Sequence, residues 1–370
     1  MSKQLNKSLT VSPFFLFFLI HSTQTGVGLL NFQSKIIKGA EQDAWVSIVL
    51  VGISLHLIIW LLYFLLKKSN NGDIMSLHQQ LFGRWLGNIL NIFFYGYMLL
   101  IVSSIIRSYL SVLVTWVFPY TPIWFLSLTM IFVISYLVVG GFRVITGICF
   151  WGMLVPSLLL LTVYFPLKYA YWTNLLPVFN HSLSDYFVSA KESIFMYSGP
   201  EFLLIYFPFI KNNQNSQKWA HISQVYTTIL YLVVTIISFV YFSHGQLEHV
   251  TWPTLMMSKI IRFPFIERFE YIFIFLWLLV ILPPSCMALW GAIRVLKESF
   301  KFKPKMSLWM SIIIVHLIVI NVKSKVEVEE IGKFLTFITS SFLYIYLPLL
   351  FMFYLILQSF KKTKSGKINP

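Results

Sequence analysis

The sequence predicts an all-α integral membrane protein with about ten transmembrane helices, arranged as two five-helix halves of opposite orientation. Hydrophobic residues make up 58% of the 370 positions, and charged residues only 11%. Apolar runs of about 20 residues recur along the chain, and each is long enough to cross a bilayer as a helix. These runs do not alternate polar and apolar residues, so the pattern excludes a transmembrane β-barrel.

The helices are expected where long apolar runs lie between short polar connectors. The first run follows Lys3 and Lys7, and its length indicates a retained span rather than a cleaved signal peptide. The connector 243–269 is expected to hold a short amphipathic or re-entrant piece around residues 252–256. The expected spans cover about residues 12–31, 44–66, 88–116, 123–140, 143–166, 187–210, 219–242, 270–295, 307–322 and 334–358.

The distribution of charge predicts the orientation of these spans. Lys and Arg concentrate at the start of the chain, in the connectors after even-numbered spans and in the tail 359–370, whereas most acids lie in the other connectors. This bias predicts cytosolic N- and C-termini. The net charge of +15 is therefore interpreted as membrane topology, and no nucleic-acid partner is expected. The chain 1–370 is expected to form a single transmembrane domain, with five-helix repeats at about 1–166 and 187–358.

Two breaks interrupt apolar runs at equivalent places in the two halves. Span 1 contains Gly26 and Gly28, and span 6 contains Gly199 followed by Pro200. Glycine costs about 1 kcal/mol relative to alanine in a helix interior. Irregular backbone at membrane depth requires protein cover or a cavity, so the paired breaks predict a substrate site. Close helix packing at small residues is the alternative interpretation of the glycines in span 1.

Unwound backbone at the breaks exposes peptide groups that suit a zwitterionic amino acid. The start of the half-helix after Gly28 or Pro200 attracts a carboxylate, while free carbonyls attract an ammonium group. The candidate ligand-binding residues at the breaks are Thr25, Gly26, Val27, Gly28, Ser198 and Gly199.

Spans 3 and 8 are expected to complete a pocket with the two breaks. In span 8, Pro283 and Pro284 either interrupt or kink the helix, and Ala288 lies one turn beyond Pro284. One face of span 3 carries, at helical spacing, Tyr97, Ile101, Ser104 and Ser108.

Two charged residues lie deep within apolar runs, Arg107 in span 3 and Glu201 in span 6. Each costs at least about 2.5 kcal/mol at mid-membrane, so we expect them to face protein or water and to form an intramembrane pair. The pair would be either a structural lock between spans 3 and 6 or a group that gates or contacts a charged ligand. Histidines at 21, 56 and 316 are expected to be hydrogen-bond partners between helices rather than ligands or a proton relay.

The sequence contains no motif that predicts an enzyme. It has no phosphate loop, no HExxH, no nucleophile motif and no pair of carboxylates on one helix face. The two cysteines, Cys149 and Cys286, lie in apolar runs and support neither a disulfide framework nor a metal site. No cofactor is expected.

Several motifs together resemble the endospore germination permease family, the B subunits of nutrient germinant receptors. The first is Thr25-Gly26-Val27-Gly28-Leu29-Leu30, followed by Gln42-Asp43-Ala44-Trp45. The resemblance extends over nearly the whole chain. Its other motifs lie at 96–97 with Arg107, and at 139–141, 176–178, 199–201, 252–254 and 265–270.

This resemblance implies a LeuT-like fold of the amino acid–polyamine–organocation transporter superfamily, with broken helices 1 and 6. It also implies residence in the spore inner membrane, beside an A subunit and a C-subunit lipoprotein. A small nutrient, an amino acid or a sugar, would bind between helices 1, 3, 6 and 8. The positions that match the family's pocket are Gly26, Ile101, Ser198, Pro284 and Ala288.

Two other functions stay open beside nutrient sensing. A proton-coupled amino acid permease would share the fold and the pocket, and a structural subunit would have lost ligand binding. Proline at positions 200, 283 and 284 departs from the family pattern, so the identity of the nutrient is not carried over from a relative.

Overall fold

The computed structural model describes residues 9–365, with side chains through residue 360. Lys3, Lys7 and most of the predicted basic tail therefore lie outside the described side chains. Within the described part, seven helical stretches are long and apolar enough to cross a membrane, and shorter apolar helices lie at Ile123–Val139 and Pro200–Phe209. With the broken first span, they occupy all ten expected positions.

The helices follow one another through the chain with short connectors. The first seven are α1 (Leu16–Gln24), α2 (Gln33–Ala40), α3 (Ala44–Lys68), α4 (Ile74–Trp116), α5 (Ile123–Val139), α6 (Phe142–Ser157) and α7 (Tyr164–Leu167). The others are α8 (Leu183–Met196), α9 (Leu203–Tyr206), α10 (Gln217–Tyr241), α11 (His244–Leu247), α12 (Pro253–Ser258), α13 (Phe269–Phe300), α14 (Pro304–Asn321), α15 (Lys325–Ser341) and α16 (Leu347–Ser365). Helix α12 is the short piece expected in the connector after span 7.

The first span is broken and longer than expected. Helix α1 ends at Gln24, Thr25 and Gly26 are extended, and a 3-10 turn at Val27–Leu30 leads into α2. The expected end near residue 31 is wrong, because the chain continues beyond the break as helix α2, which ends at Ala40. Helix α2 is amphipathic, and hydropathy alone does not detect such a helix.

The second break has a different geometry. Helix α8 ends at Met196, and the chain turns through Gly199, whose φ of 147° is a conformation that favours glycine. A 3-10 turn beginning at Pro200 then leads into α9. On the side of the molecule where α1 begins, the Val11 N–H donates to the Phe209 carbonyl at 2.9 Å. The start of the first span is thereby tied to the end of the sixth.

Two helices begin earlier than their apolar runs. Helices α8 and α15 start with polar turns, and each is capped by a reciprocal pair, Ser182 with Asp185 and Ser324 with Glu327. Such capping boxes stabilise the first turn of a helix without apolar residues. The expected starts at 187 and 334 are therefore too late.

Helix α13 stays continuous through Pro283 and Pro284, so of the two expected alternatives, interruption or kink, the interruption is wrong. The two prolines are accommodated by packing against a neighbouring helix. Pro283 has no N–H to donate to the Leu279 carbonyl one turn earlier. Gly152 of α6 packs directly against that carbonyl, where a Cβ atom would approach it to 2.5 Å. The neighbouring helix thus covers the acceptor that the proline leaves unused.

A bend at Gly83, with φ 76°, divides α4 into two parts. The transmembrane part follows the bend, and a short arm, residues 74–82, precedes it. We call the side of the protein that carries this arm the inner side, and the side that carries the α2–α3 connector the outer side. The arm was missed by the expected start of span 3 at residue 88, because hydropathy averages its apolar residues with the polar residues between them.

Candidate functional site

A cavity of about 590 Å³ lies between the two breaks and helices α2, α4, α8, α13 and α15. It extends from the buried floor at Thr25, which is 5% exposed, to exposed residues of the outer side. Seven of the expected site residues line it, namely Thr25, Gly26, Val27, Gly28, Ile101, Ser198 and Pro284. Helix packing alone therefore does not account for the glycines of the first break.

Two expected site residues do not line this cavity. Ala288 is fully buried within α13. Gly199 packs against the first break, where an added Cβ would lie 2.7 Å from the Gln24 nitrogen and from the Thr23 carbonyl carbon. Gly199 therefore brings the two breaks together rather than lining the cavity.

The floor of the cavity is the start of the second half of span 1. The Gly26 carbonyl accepts from the Leu29 N–H, and the Gly28 carbonyl accepts from Asn31 and Phe32. Within residues 9–365, no backbone acceptor is found for the N–H groups of residues 26–28. These are the unpaired donors of a helix start, which together favour an anion.

Open space surrounds the first break. A Cβ atom on Gly26 would meet no heavy atom within 4 Å, and one on Gly28 would meet only the Met196 side chain at 4.0 Å. The backbone of Gly26 is extended, at φ −166°, so larger residues can adopt the same conformation. A ligand can therefore approach this backbone closely.

Glu201 lies beside the cavity in a fully satisfied hydrogen-bond network. It accepts from the Tyr97 hydroxyl at 2.8 Å, from the Ser198 hydroxyl at 2.7 Å and from the Gly199 N–H at 2.7 Å. The Tyr97 hydroxyl also lies 3.0 Å from the Thr339 hydroxyl of α15. Hydrogen bonds to all of these groups compensate the burial of the carboxyl group.

The expected pair of Arg107 and Glu201 is wrong. Arg107 donates from Nε to the Val322 carbonyl at 2.6 Å and from a terminal nitrogen to the Lys323 carbonyl at 3.2 Å. Its other terminal nitrogen donates to Ser111 at 2.7 Å. Tyr97, which contacts Glu201, lies ten residues before Arg107 on α4, or about 15 Å along the axis. The two charges thus lie at different depths, and Arg107 holds the connector between α14 and α15.

The outer mouth of the cavity is lined by charges of both signs, most of which lie in the expected connectors. Lys35, Glu192 of α8 and Glu329 of α15 all line the mouth, and both carboxylates attract the Lys35 ammonium group. Other charged residues that line the mouth are Lys38, Glu248 and Lys333. No sequence pattern marked these residues, because only the folding of α2 against α8 and α15 brings them together.

A second cavity, of about 100 Å³, lies on the other side of the first break. It is almost entirely apolar, and Thr25 lines both cavities. Beside it, His21 is hydrogen-bonded to Thr227 of α10 at 2.9 Å. His56 contacts His221 at 2.8 Å and His316 contacts Ser127 at 3.1 Å, so the interhelical role expected for all three histidines is confirmed.

Among the residues that the structure describes, no group of three or more His, Cys, Asp or Glu side chains is placed to hold a metal ion. Cys149 and Cys286 are both free and buried.

Comparison with known proteins identifies relatives over most of the chain. The family model described as "Spore germination protein" matches residues 10–328. Spore germination protein GerQB of Bacillus cereus is 38% identical over 350 residues, which cover 95% of this chain and 97% of that protein. Spore germination protein A2 of Bacillus subtilis (strain 168) is 24% identical over 295 residues, covering 78% and 80% of the two chains.

Among solved structures, MhsT in complex with L-phenylalanine has a TM-score of 0.58. The two chains are 14% identical, and the match covers 91% of this chain and 87% of that one. At this identity the likeness concerns the fold alone. It confirms the expected LeuT-like architecture.

Proposed function

Because the chain belongs to the spore germination permease family, we propose that it is the nutrient-sensing membrane subunit of a germinant receptor. The observation that carries this proposal is the cavity of about 590 Å³ with unpaired backbone donors at its floor. The protein would reside in the inner membrane of the spore with both termini cytosolic. Its partners would be an A subunit and a C-subunit lipoprotein.

The lining of the cavity supports a small nutrient as the ligand, either an amino acid or a sugar. The N–H groups of residues 26–28 suit a carboxylate. Hydroxyl groups of Ser104, Ser108 and Thr336 line the wall and suit an ammonium or sugar hydroxyls. Charges of both signs at the mouth would attract either end of a zwitterion.

The response would arise from closure of the cavity around the nutrient. A ligand that binds between the two breaks favours the conformation in which span 1, span 6 and α4 come together, and thus shifts the population of states. The partner subunits would detect the new population. No transport of the nutrient is required by this mechanism.

The second candidate is a proton-coupled amino acid permease, which one observation favours. Glu201 is a fully buried carboxyl group hydrogen-bonded to Ser198 of the cavity wall. A buried acid beside a substrate site can carry a proton across a membrane. Concentrative uptake of a labelled amino acid by proteoliposomes that contain only this chain would favour the permease.

A subunit with a blocked pocket is the least supported candidate, because Pro284 lines the cavity without filling it.

Substitution of Gly26 by leucine tests the proposed site in spores. The open space and extended backbone at this position mean that the new side chain should enter the cavity without strain. We expect the Gly26→Leu receptor to accumulate normally, as measured by immunoblot, and to lose or change its response to a panel of amino acids and sugars. Gly147→Leu in α6, which also has open space but lines neither cavity, is the matched control. An unaltered nutrient profile in Gly26→Leu spores would refute the site.

A further inference from the structure

A chain of buried contacts links the cavity to the arm, residues 74–82, on the inner side. It begins at Ser198 in the cavity wall, which donates to Glu201, which in turn accepts from Tyr97 of α4. Tyr97 stacks on Phe342, with ring centroids 5.8 Å apart, and Phe342 stacks on Tyr346 at 5.4 Å. The cavity wall is thus connected by direct contacts to Tyr346 in the last span.

The two stacked rings lie in the one π-helical stretch that the described residues contain, Phe342–Tyr346. A π-helical turn holds an extra residue and is frequent at functional sites, where it redirects side chains. Here it places Phe342 and Tyr346 over the same face of α4. The stretch therefore connects the aromatic contacts below Tyr97 to the inner side.

Tyr346 extends this series of side-chain contacts into the arm through hydrogen bonds. Its hydroxyl lies 2.7 Å from His78 Nε2, and His78 Nδ1 lies 2.7 Å from Asn91 Oδ1. The Asn91 amide donates to Ser299 of α13 at 2.9 Å. With the Nδ1–H tautomer of His78, every group in this series has its complementary partner. His78 is 1% exposed, so water does not replace a lost partner.

The arm is also anchored at its other end. Asp73 caps the arm by accepting from the Ser76 N–H at 2.9 Å, and it lies 3.4 Å from an Arg294 nitrogen of α13. Gly72 lies against Phe207, at the end of the second half of span 6. Together with Gly72 and Asp73, the arm therefore contacts span 6, α13 and α16, where Phe82 stacks on Phe353, and the Gly83 bend separates the arm from the rest of α4.

We propose that Tyr346 and His78 form a coupling contact that reports the state of the cavity to the arm. While the contact holds, the arm closes the inner side and the cavity is open to the outer side. When a ligand moves span 6 and Tyr97, the aromatic stack shifts Tyr346 and releases the arm, and a partner subunit can read the released arm. This inference uses the cavity of the proposed function as its starting point, but its test needs no nutrient.

The test follows two introduced cysteines in purified protein in nanodiscs, where both faces meet the reagent. Ser104→Cys is the cavity reporter, and Met75→Cys, at a position 2% exposed, is the arm reporter. The native thiols Cys149 and Cys286 are both fully buried and give a low background. Each reporter is labelled with a charged methanethiosulfonate, with and without Tyr346→Phe.

We expect Tyr346→Phe to change the two labelling rates in opposite directions. The cavity reporter should react about fivefold more slowly as the cavity closes, and the arm reporter about fivefold faster as the arm is released. Tyr344→Phe is the matched control, because Tyr344 lies in the same π-helical stretch but its hydroxyl contacts Ser54 of α3 at 2.6 Å. It should leave both rates unchanged.

Three outcomes would overturn the proposal. The first is that neither rate changes in Tyr346→Phe, and the second is that both rates rise together, which indicates general loosening. The third is an equal effect of Tyr344→Phe. If Tyr346→Phe does not accumulate, His78→Phe carries the same expectation, and in the double variant the two changes should not add if they break a single contact. Because no nutrient is added, failure here leaves the outcome of the Gly26 experiment unaffected.

Discussion

The two breaks use glycine for opposite reasons. At Gly26 the backbone is extended and the space for a side chain is empty, whereas at Gly199 the backbone has φ 147° and the space is filled by span 1. The first glycine leaves room for a ligand, and the second makes the contact that holds the breaks together. A similar sequence signal, glycine within an apolar run, thus marks a binding surface in one half and a packing contact in the other.

The largest effect is expected at the closed break. Gly199→Ala adds a methyl group 2.7 Å from the backbone of Thr23 and Gln24 and imposes an unfavourable φ on alanine. The combined strain and overpacking should cost more than about 3 kcal/mol, enough to prevent accumulation in the membrane. Gly26→Ala should accumulate at the level of the unmodified protein. Equal levels of both variants on immunoblots would remove the distinction between the breaks.

A smaller effect is expected for the carboxyl group that braces the closed break. Glu201→Gln keeps the shape but places an amide donor against one of three groups that now donate, which are Tyr97, Ser198 and the Gly199 N–H. The mismatch should lower the free energy of unfolding by about 1–3 kcal/mol, seen as a lower melting temperature in detergent. Glu192→Gln, at the cavity mouth, is the control and should melt like the unmodified protein. A Glu201→Gln protein of undiminished stability would show that the network does not hold the break.

A substitution at Arg107 distinguishes the contacts of the outer connector, between α14 and α15, from the contacts of the closed break. Arg107→Lys cannot reproduce the contacts to the Val322 and Lys323 carbonyls, because lysine has no planar fork of donors. We expect a loss of about 1–2 kcal/mol in stability with an unchanged nutrient profile. Combined with Glu201→Gln, the losses should add to within about 0.5 kcal/mol. Strong coupling between the two substitutions would instead support the intramembrane pair.

The smallest effect is expected at the mouth above the open break. Lys35→Gln removes a positive charge from the mouth of the cavity and leaves the residues of its floor unchanged. For a ligand with a carboxylate, the concentration for half-maximal germination should rise about threefold at low salt and less at high salt. Lys259→Gln, on the same side but outside the cavity, is the control. A loss that does not depend on salt would place Lys35 in direct contact with the ligand.

The sequence predicted the helices and the breaks well, because both follow from local composition. Apolar runs locate the spans, and the glycines of span 1 mark the break that the structure contains. The capping boxes at Ser182 and Ser324 were also readable, and they would have corrected the starts of α8 and α15. Amphipathic pieces such as α2 and the arm were missed, because hydropathy averages their two faces.

Pairing between distant residues could not be predicted in the same way. Arg107 and Glu201 were paired because they are the two charges deep in apolar runs. In the structure, backbone carbonyls accept the hydrogen bonds of Arg107 and hydroxyl groups donate to Glu201, so neither charge needs the other. The aromatic and polar contacts from Tyr97 to His78 depend on the π-helical stretch at 342–346, which shifts the register of the last span. No local pattern in the sequence predicts that shift of register.

Direct binding to the open break is the most decisive measurement. The melting temperature of the purified protein is recorded with each member of a panel of amino acids and sugars, and the same is done for Gly26→Leu and Gly147→Leu. The account predicts that at least one nutrient raises the melting temperature of the unmodified protein and of Gly147→Leu, since a ligand that binds only the folded state stabilises it. Gly26→Leu should melt at the same temperature with and without the nutrient. An equal increase in Gly26→Leu would contradict the account, because the nutrient would then bind elsewhere.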